Sequence, residues 1–275
     1  MKNKLYGIVP PLVTPLLDDN TLDLQGLKNL IEHVIAGGVH GIFILGTTGE
    51  SQSLGFDLRV QMVKETASII NKRLPLLVGI SDTSVADSVR LAQIAAGCGA
   101  DAVVSAPPYY YATAQVELVE FYKKLIEQLP LPLYLYNMPT HTKISFAPET
   151  IKEIAKSKKV IGFKDSSANG SFFQSVLYEM RDREDFAIFV GPEEMTAETV
   201  ILGGSGGVNG GANIFPKLYV DLYNAAVAGN IATVRKLQEK VMQISRSIYI
   251  QASPFNKFDG EYKKNIEKAL KEINL

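Results

Sequence analysis

The ten residues "KKVIGFKDSS", Lys158 to Ser167, decide how the rest of the chain is read. Val160-Ile161-Gly162-Phe163 reads as a short buried strand, yet it finishes on Lys164. Lysine is depleted in strands and rarely buried without a reason. Lys164 is therefore either a charge leaving a strand end, paired with neighbouring Asp165, or an amine held there for chemistry. These ten residues leave both open.

Working outward, the same grammar repeats. Short β-rich runs occur at Tyr6–Val9, Gly41–Leu45, Leu76–Ile80, Ala102–Ser105, Leu133–Tyr136, Val160–Lys164, Phe186–Val190 and, more weakly, Gly206–Val208. Between them lie stretches of helical apolar periodicity, the earlier ones at Leu24–Ala36, Leu58–Ile70, Val85–Ala96 and Val116–Leu129. The later ones are Glu149–Lys156, Phe172–Arg181, Met195–Leu202 and Leu218–Ala228. Asp82-Thr83-Ser84 supplies a helix start, Pro148 stands in a first turn, and Gly37-Gly38, Gly97 and Gly229 sit where helices stop. Strand–helix alternation repeated about eight times predicts a parallel sheet closed into a (β/α)₈ TIM barrel over 1–228. A doubly wound open sheet is the alternative, and the repeat count favours the barrel. Ile231–Ile250 and Tyr262–Ile273 read as extra helices, so 229–275 is expected to be a C-terminal helical extension rather than a second domain.

Composition narrows the partners. The 275 residues are 46% hydrophobic and 21% charged, with a formal net charge of -1. That is ample apolar material for a core and gives no electrostatic case for nucleic acid or an anionic membrane. Cys98 is the single cysteine, which excludes an intrachain disulfide and fits a reducing compartment. The basic-then-apolar N-terminus is broken by Pro10, Pro11 and Pro15, and no apolar run is long enough to span a bilayer. A cytoplasmic location is the expectation, with a small molecule or another copy of the chain as partner.

In a TIM barrel the chemistry gathers at the C-terminal ends of the strands. Four such ends are rich: "GTTGES" (46–51), "PPYYY" (107–111), "YNMPTHT" (136–142) and "KDSS" (164–167). Desolvation at a barrel mouth disfavours an ammonium ion, and a neutral amine attacks a ketone to form a Schiff base that serves as an electron sink. Tyr134 and Tyr136 lie two apart and share one face of their strand. Tyr136 can relay protons at the mouth, or both can be packing residues. "GTTGES" offers two glycines, two threonine hydroxyls and several N–H groups suited to a carboxylate, or simply a turn and helix cap. It is not a Walker A loop.

Taken together, "GTTGES", "PPYYY", "LYNMP", "GFKD" and the glycine-rich "GGSGGVNGGAN", in this order from Ile8 to about Gln238, resemble the dihydrodipicolinate synthase/N-acetylneuraminate lyase family of pyruvate-dependent class I aldolases. The resemblance implies a (β/α)₈ barrel, usually a homotetramer of tight dimers, working through a covalent imine without a cofactor or metal. It implies that Lys164 is the Schiff-base lysine and Tyr136 the proton-relay tyrosine. Thr47 and Thr48 would hold the keto-acid carboxylate and link the hydroxyl relay, with Thr48 counted among the catalytic groups. Tyr110 would insert across the dimer interface into the neighbour's site, and the main chain at Gly191 and Val208 would line the pocket.

Two departures matter. Family synthases that use aspartate semialdehyde carry an arginine two residues after the "YNxP" proline; here that position is His141. Histidine lacks the bidentate fork and much of the charge, so His141 is either a weaker substrate ligand or a surface turn residue. The helical stretch between "SRSIY" and "SPF" is also shorter than usual for the family. Other features are weaker. Glu193-Glu194 reads as capping or sugar-hydroxyl contacts. Gly203–Gly211 breaks the G-x-G-x-x-G spacing at Asn209, and a phosphate pocket there would depend on backbone N–H groups alone. His33, His40 and Cys98 lack metal-ligand spacing. The expectation is a lyase that makes or breaks a C–C bond to pyruvate on a 2-keto-3-deoxy sugar acid. The alternatives are dihydrodipicolinate synthase, N-acetylneuraminate lyase, and a keto-acid-binding barrel that has lost catalysis.

Overall fold

A computed structural model describes residues 4–246. The chain begins with β1 (Gly7–Ile8), a two-stranded hairpin of β2 (Leu16–Asp18) and β3 (Thr21–Leu22), α1 (Leu24–Ala36), β4 (Ile42–Ile44) and α2 (Phe56–Ile70). It continues through β5 (Leu76–Gly79), α3 (Val85–Gly97), β6 (Ala102–Ser105), α4 (Gln115–Gln128), β7 (Leu133–Asn137), α5 (Pro139–Thr142) and α6 (Pro148–Ile154). The remainder is β8 (Val160–Asp165), α7 (Gly170–Glu179), β9 (Ala187–Val190), α8 (Thr196–Ile201), β10 (Gly206–Gly207), α9 (Pro216–Val227) and α10 (Ile231–Ile244).

Eight strands form one parallel sheet in the order β1-β10-β9-β8-β7-β6-β5-β4. The two ends meet: Pro11 bridges Phe43, the Leu12 N–H donates to the Phe43 carbonyl at 2.8 Å, and the Phe43 N–H donates to the Pro10 carbonyl at 3.1 Å. The sheet is thus a closed (β/α)₈ barrel, and the open-sheet alternative is excluded. All eight expected strands are present. Their near-continuous apolar composition follows from burial on both faces, as expected of a parallel sheet wrapped in helices. The hairpin β2–β3 was not expected; its tip is held by Asp18, whose Oδ1 accepts the Asn20 N–H at 2.9 Å. The last described helix, α10, covers Ile231–Ile244, whereas the segment Tyr262–Ile273 lies outside the described residues.

Helix starts follow from capping chemistry. Asp23 accepts the Gly26 N–H at 2.8 Å, Ser84 the Asp87 N–H at 3.2 Å, and Asn169 the Phe172 N–H at 3.0 Å. Each satisfies an orphan donor of a first turn, a contribution of about 1 kcal/mol. Leu27, Ile31 and Val34 put α1's apolar stripe against the barrel.

Side-chain alternation splits the core in two. Val9, Phe43, Leu77, Val104, Tyr134 and Phe189 fill the barrel interior, while Ile44, Val78, Leu135, Phe163 and Ile188 face the helices. In β8 this alternation is interrupted: Leu133 pairs with Val160, but Tyr134 pairs with Gly162, leaving Ile161 as an extra residue. Plain alternation from outward-facing Val160 would send Lys164 outward. The bulge shifts the phase by one, so Phe163 faces the helices and Lys164 the interior. Gly162 is needed beside it, because a Cβ there would collide with the Tyr134 ring.

At the opposite end of the barrel, His40 is half-buried, stacks edge-on against Tyr223 at 5.3 Å, and accepts the Ile8 N–H through Nδ1 at 3.1 Å. Burial holds its imidazole below the ordinary histidine value. The unfolded chain therefore takes up this proton at higher pH than the folded one. The resulting stability is fully present above about pH 6.5 and is lost as pH falls through the folded value. Urea midpoints between pH 7 and pH 5 should fall more steeply for the parent than for His40→Asn, which keeps an acceptor but does not titrate. Identical slopes would remove His40 as the cause.

Candidate active site

β7 and β8 lie side by side in register, with Tyr136 opposite Lys164 and Asn137 opposite Asp165. Consecutive strand residues point to opposite faces, which decides the first question about Lys164. Its side chain turns into the barrel, only 6% exposed, with Nζ 4.1 Å from the centre of the Tyr136 ring and 5.2 Å from that of Phe43. Asp165 turns the other way, and its carboxylate accepts from Asn137 Nδ2 at 2.8 Å, the Ser167 N–H at 3.1 Å and Ser167 Oγ at 2.8 Å. The expected alternative of a Lys164–Asp165 pair is thereby overturned: among the described residues, no carboxylate forms an ion pair with Lys164. Burial pushes the Asp165 carboxyl above the ordinary range, against hydrogen bonds that favour its charged form.

The two tyrosines of β7 part company. Tyr134 packs in the barrel interior, and burial pushes its phenol well above the usual range, so it stays protonated. Tyr136 sits one layer higher, and its hydroxyl meets Thr47 Oγ1 at 3.2 Å. The hydroxyl at Tyr136 thus belongs to Thr47 rather than to Thr48, which is half-buried beside it.

The loop that carries both threonines is tightly built. Leu45 enters it with φ 58° although it is not glycine, a conformation costing about 1–3 kcal/mol. Its carbonyl lies where a side chain on residue 79 would be, which requires Gly79. Gly49 is pinned by Thr14, whose Oγ1 donates to its carbonyl at 2.7 Å. Tyr109 donates to Gln52 Oε1 at 2.5 Å, and Gln52 Nε2 donates to the Ser81 carbonyl at 3.0 Å, bracing three mouth loops together.

The floor under Lys164 is closed. Val9, Phe43, Leu77, Val104, Phe189 and Val208 leave a void of only about 10 Å³, so a substrate reaches the amine from the mouth alone. Gly191 directly follows β9 and donates its N–H to the Asp165 carbonyl at 2.6 Å. His141 is exposed on the short α5, with Nδ1 3.0 Å from Thr140 Oγ1. Tyr110 does not join the cluster of its own chain; it is 76% exposed on the loop after β6, edge-on to Tyr111 at 4.9 Å. Glu193 is buried, with Oε1 accepting the Gly211 N–H at 2.6 Å and Oε2 bonded to the Tyr219 hydroxyl, while exposed Glu194 bonds Ser245. These carboxylates therefore brace the loop after β9 against α9 and α10. No cluster of three or more His, Cys, Asp and Glu side chains suited to a metal exists among the described residues. Sequence reasoning passed over Phe43 and Asn137, and read Asp165 only as a partner for Lys164. Ile42-Phe43-Ile44 is apolar throughout and so marks neither face, and Asn137 carries no signal of its own.

A lysine held inside a closed barrel against a threonine-bonded tyrosine fits an imine-forming enzyme, and comparison with known proteins agrees. Residues 4–257 match the model of the Dihydrodipicolinate synthetase family. The chain belongs to this family. It is accordingly an enzyme of the class I aldolase/lyase type. It is 32% identical over 254 residues to a probable 2-dehydro-3-deoxy-D-pentonate aldolase of Escherichia coli, covering 92% of this chain and 84% of that one. It is also 32% identical over 250 residues to the 4-hydroxy-tetrahydrodipicolinate synthase of Methanoculleus marisnigri, covering 90% and 85%. Among solved structures, dihydrodipicolinate synthase of Bacteroides thetaiotaomicron is 61% identical with TM-score 0.91, covering 100% of this chain and 91% of that one. A prophage protein of the dihydrodipicolinic acid synthase family from Escherichia coli, in complex with pyruvate, is 28% identical with TM-score 0.88, covering 95% and 87%. No described helix is long and apolar enough to cross a membrane.

Proposed function

We propose that the family member described here cleaves or forms the C3–C4 bond of a 2-keto-3-deoxy sugar acid, with Lys164 as the nucleophile and no cofactor. The observation that carries this is the inward Lys164 amine over the Tyr136 ring, without an ion-pair partner among the described residues, and with the Tyr136 hydroxyl in turn on Thr47. The neutral amine adds to the C2 ketone and water leaves, giving an imine. Tyr136 accepts the proton of the C4 hydroxyl as the C3–C4 bond breaks. The bond's electrons pass into the iminium to form an enamine, and the aldehyde departs. Protonation at C3 and hydrolysis of the imine then release pyruvate and the free amine. The threonine loop receives the substrate carboxylate, where Thr47 and Thr48 present hydroxyls beside backbone N–H groups. Gly191 and Val208 line the pocket.

The sugar-acid reading rests on His141, which replaces a fork-shaped cation by a single donor, and on the likeness to the pentonate aldolase. Dihydrodipicolinate synthesis is the second reading, favoured by the 61% identical synthase. A panel of keto-sugar acids against pyruvate plus aspartate semialdehyde separates the two. Under the proposal, the parent prefers the sugar acids, and His141→Arg shifts the kcat/KM ratio toward aspartate semialdehyde by roughly tenfold. A parent that turns over aspartate semialdehyde faster overturns it. The exposed Tyr110–Tyr111 pair supports a homodimer or homotetramer in which Tyr110 enters the neighbour's site, and the cytoplasm is the proposed location.

A further inference from the structure

Directly behind Lys164 and Tyr136, on the helix-facing side of the sheet, lies a polar pair that the reaction itself does not use. Asn137 and Asp165 are both 0% exposed and are register partners, one step beyond the Tyr136–Lys164 pair. They sit in an otherwise apolar layer near Phe146 and Phe163, whose rings are 6.0 Å apart. Asn137 Nδ2 donates to Asp165 Oδ1, while Asn137 Oδ1 accepts the Phe146 N–H at 3.2 Å. The Asn137 carbonyl accepts the Ser166 N–H at 2.8 Å, and the Asp165 carbonyl accepts the Gly191 N–H at 2.6 Å. Ser167 closes on both carboxylate oxygens.

A buried acid without a cation is costly, and apolar residues of similar shape would stabilise such a layer as well or better. What this pair does supply is geometry. It ties the segment that follows α5, the turn after β8 and the end of β9 to the two strand ends that carry Tyr136 and Lys164. Fully satisfied polar networks of this kind hold one arrangement where apolar packing tolerates several.

We propose that Asn137 and Asp165 are positioning residues that set Lys164 against Tyr136 for imine formation, an inference that rests on the reading of Lys164 as the nucleophile. In that step the Lys164 Nζ–C2 bond forms, the C2–O bond breaks and water leaves, so the rate depends on the amine's approach to C2 and on the Tyr136 proton. A misplacement of about 1 Å is enough to cost roughly 100-fold.

The test is the time course of pyruvate trapping by borohydride, followed by mass at Lys164 and read beside KM and Tm. Asn137→Ala and Asp165→Ala are each expected to slow trapping by roughly 10- to 100-fold. KM for pyruvate should stay within about threefold, the final stoichiometry should reach one, and the double variant should be no slower than the slower single variant. Asp165→Asn, which keeps an acceptor for Asn137, should recover most of the rate. Ser167→Ala, on a less buried residue, serves if the alanine variants do not fold, and should slow trapping several-fold without a matching loss of Tm. Folded variants that trap at the parent's rate would overturn the positioning role. An absence of any adduct in the parent would instead overturn the nucleophile assignment beneath it.

Discussion

Lys164→Met is expected to abolish the borohydride-trapped pyruvate adduct and to lower kcat by roughly 10⁴-fold or more, while the protein remains folded. Methionine keeps the unbranched stem that lies against Phe43 and Tyr136 but cannot form the imine. Loss of a nucleophile typically costs rates of this order, because every later step runs through the covalent intermediate. The stem fits the site, and removing a polar amine that is only 6% exposed relieves a desolvation cost, so Tm should be unchanged or raised. Mass spectrometry of the trapped protein and a Tm measurement settle the matter together. An adduct in the Lys164→Met protein would place the nucleophile elsewhere.

Tyr136→Phe is expected to give the second largest loss, about 10²- to 10⁴-fold in kcat, which is the range of a general acid–base group. The ring under the lysine is retained, so pyruvate should still bind with KM changed only a few-fold, and the adduct should still form, slowly, at Lys164. The Thr47 hydroxyl at 3.2 Å orients the phenol, so Thr47→Val should follow the same pattern more mildly, by roughly tenfold. A Tyr136→Phe enzyme with full kcat would show that another group moves the proton. Steady-state kinetics with a keto-sugar acid, beside the trapping time course, distinguishes these results.

Much of this site was legible in the residues alone, for identifiable reasons. Parallel strands buried on both faces write themselves as apolar runs, so Leu76–Gly79 and Ala102–Ser105 could be located without structure. α1 matched its apolar period to the residue, because Asp23 marks its start and the turn at Gly37 its end. The chemistry at strand ends followed from the barrel. The hairpin β2–β3 was missed because strands of three and two residues carry no period, and three nearby prolines suggested irregular chain. Between Thr47 and Thr48, adjacent hydroxyls on a loop have no periodicity to rank them; only the fold of that loop, entered through the left-handed Leu45, does so. The Asn137–Asp165 pair escaped notice because it depends on which way β8 faces, and a bulge reverses that.

That extra residue at Ile161 divides β8 into two segments with independent phase. Below it, Val160 is constrained by the helices around it; above it, Phe163 and Lys164 are set by the mouth. The barrel's lower half can therefore drift in sequence to suit its helices without rotating the amine. New chemistry placed at this strand end is best exchanged as the segment from Gly162 onward, leaving the joint intact. Deleting Ile161 would restore plain alternation and still leave Lys164 facing the barrel and Asp165 the helices, because Gly162 already pairs with Tyr134 as Val160 does with Leu133.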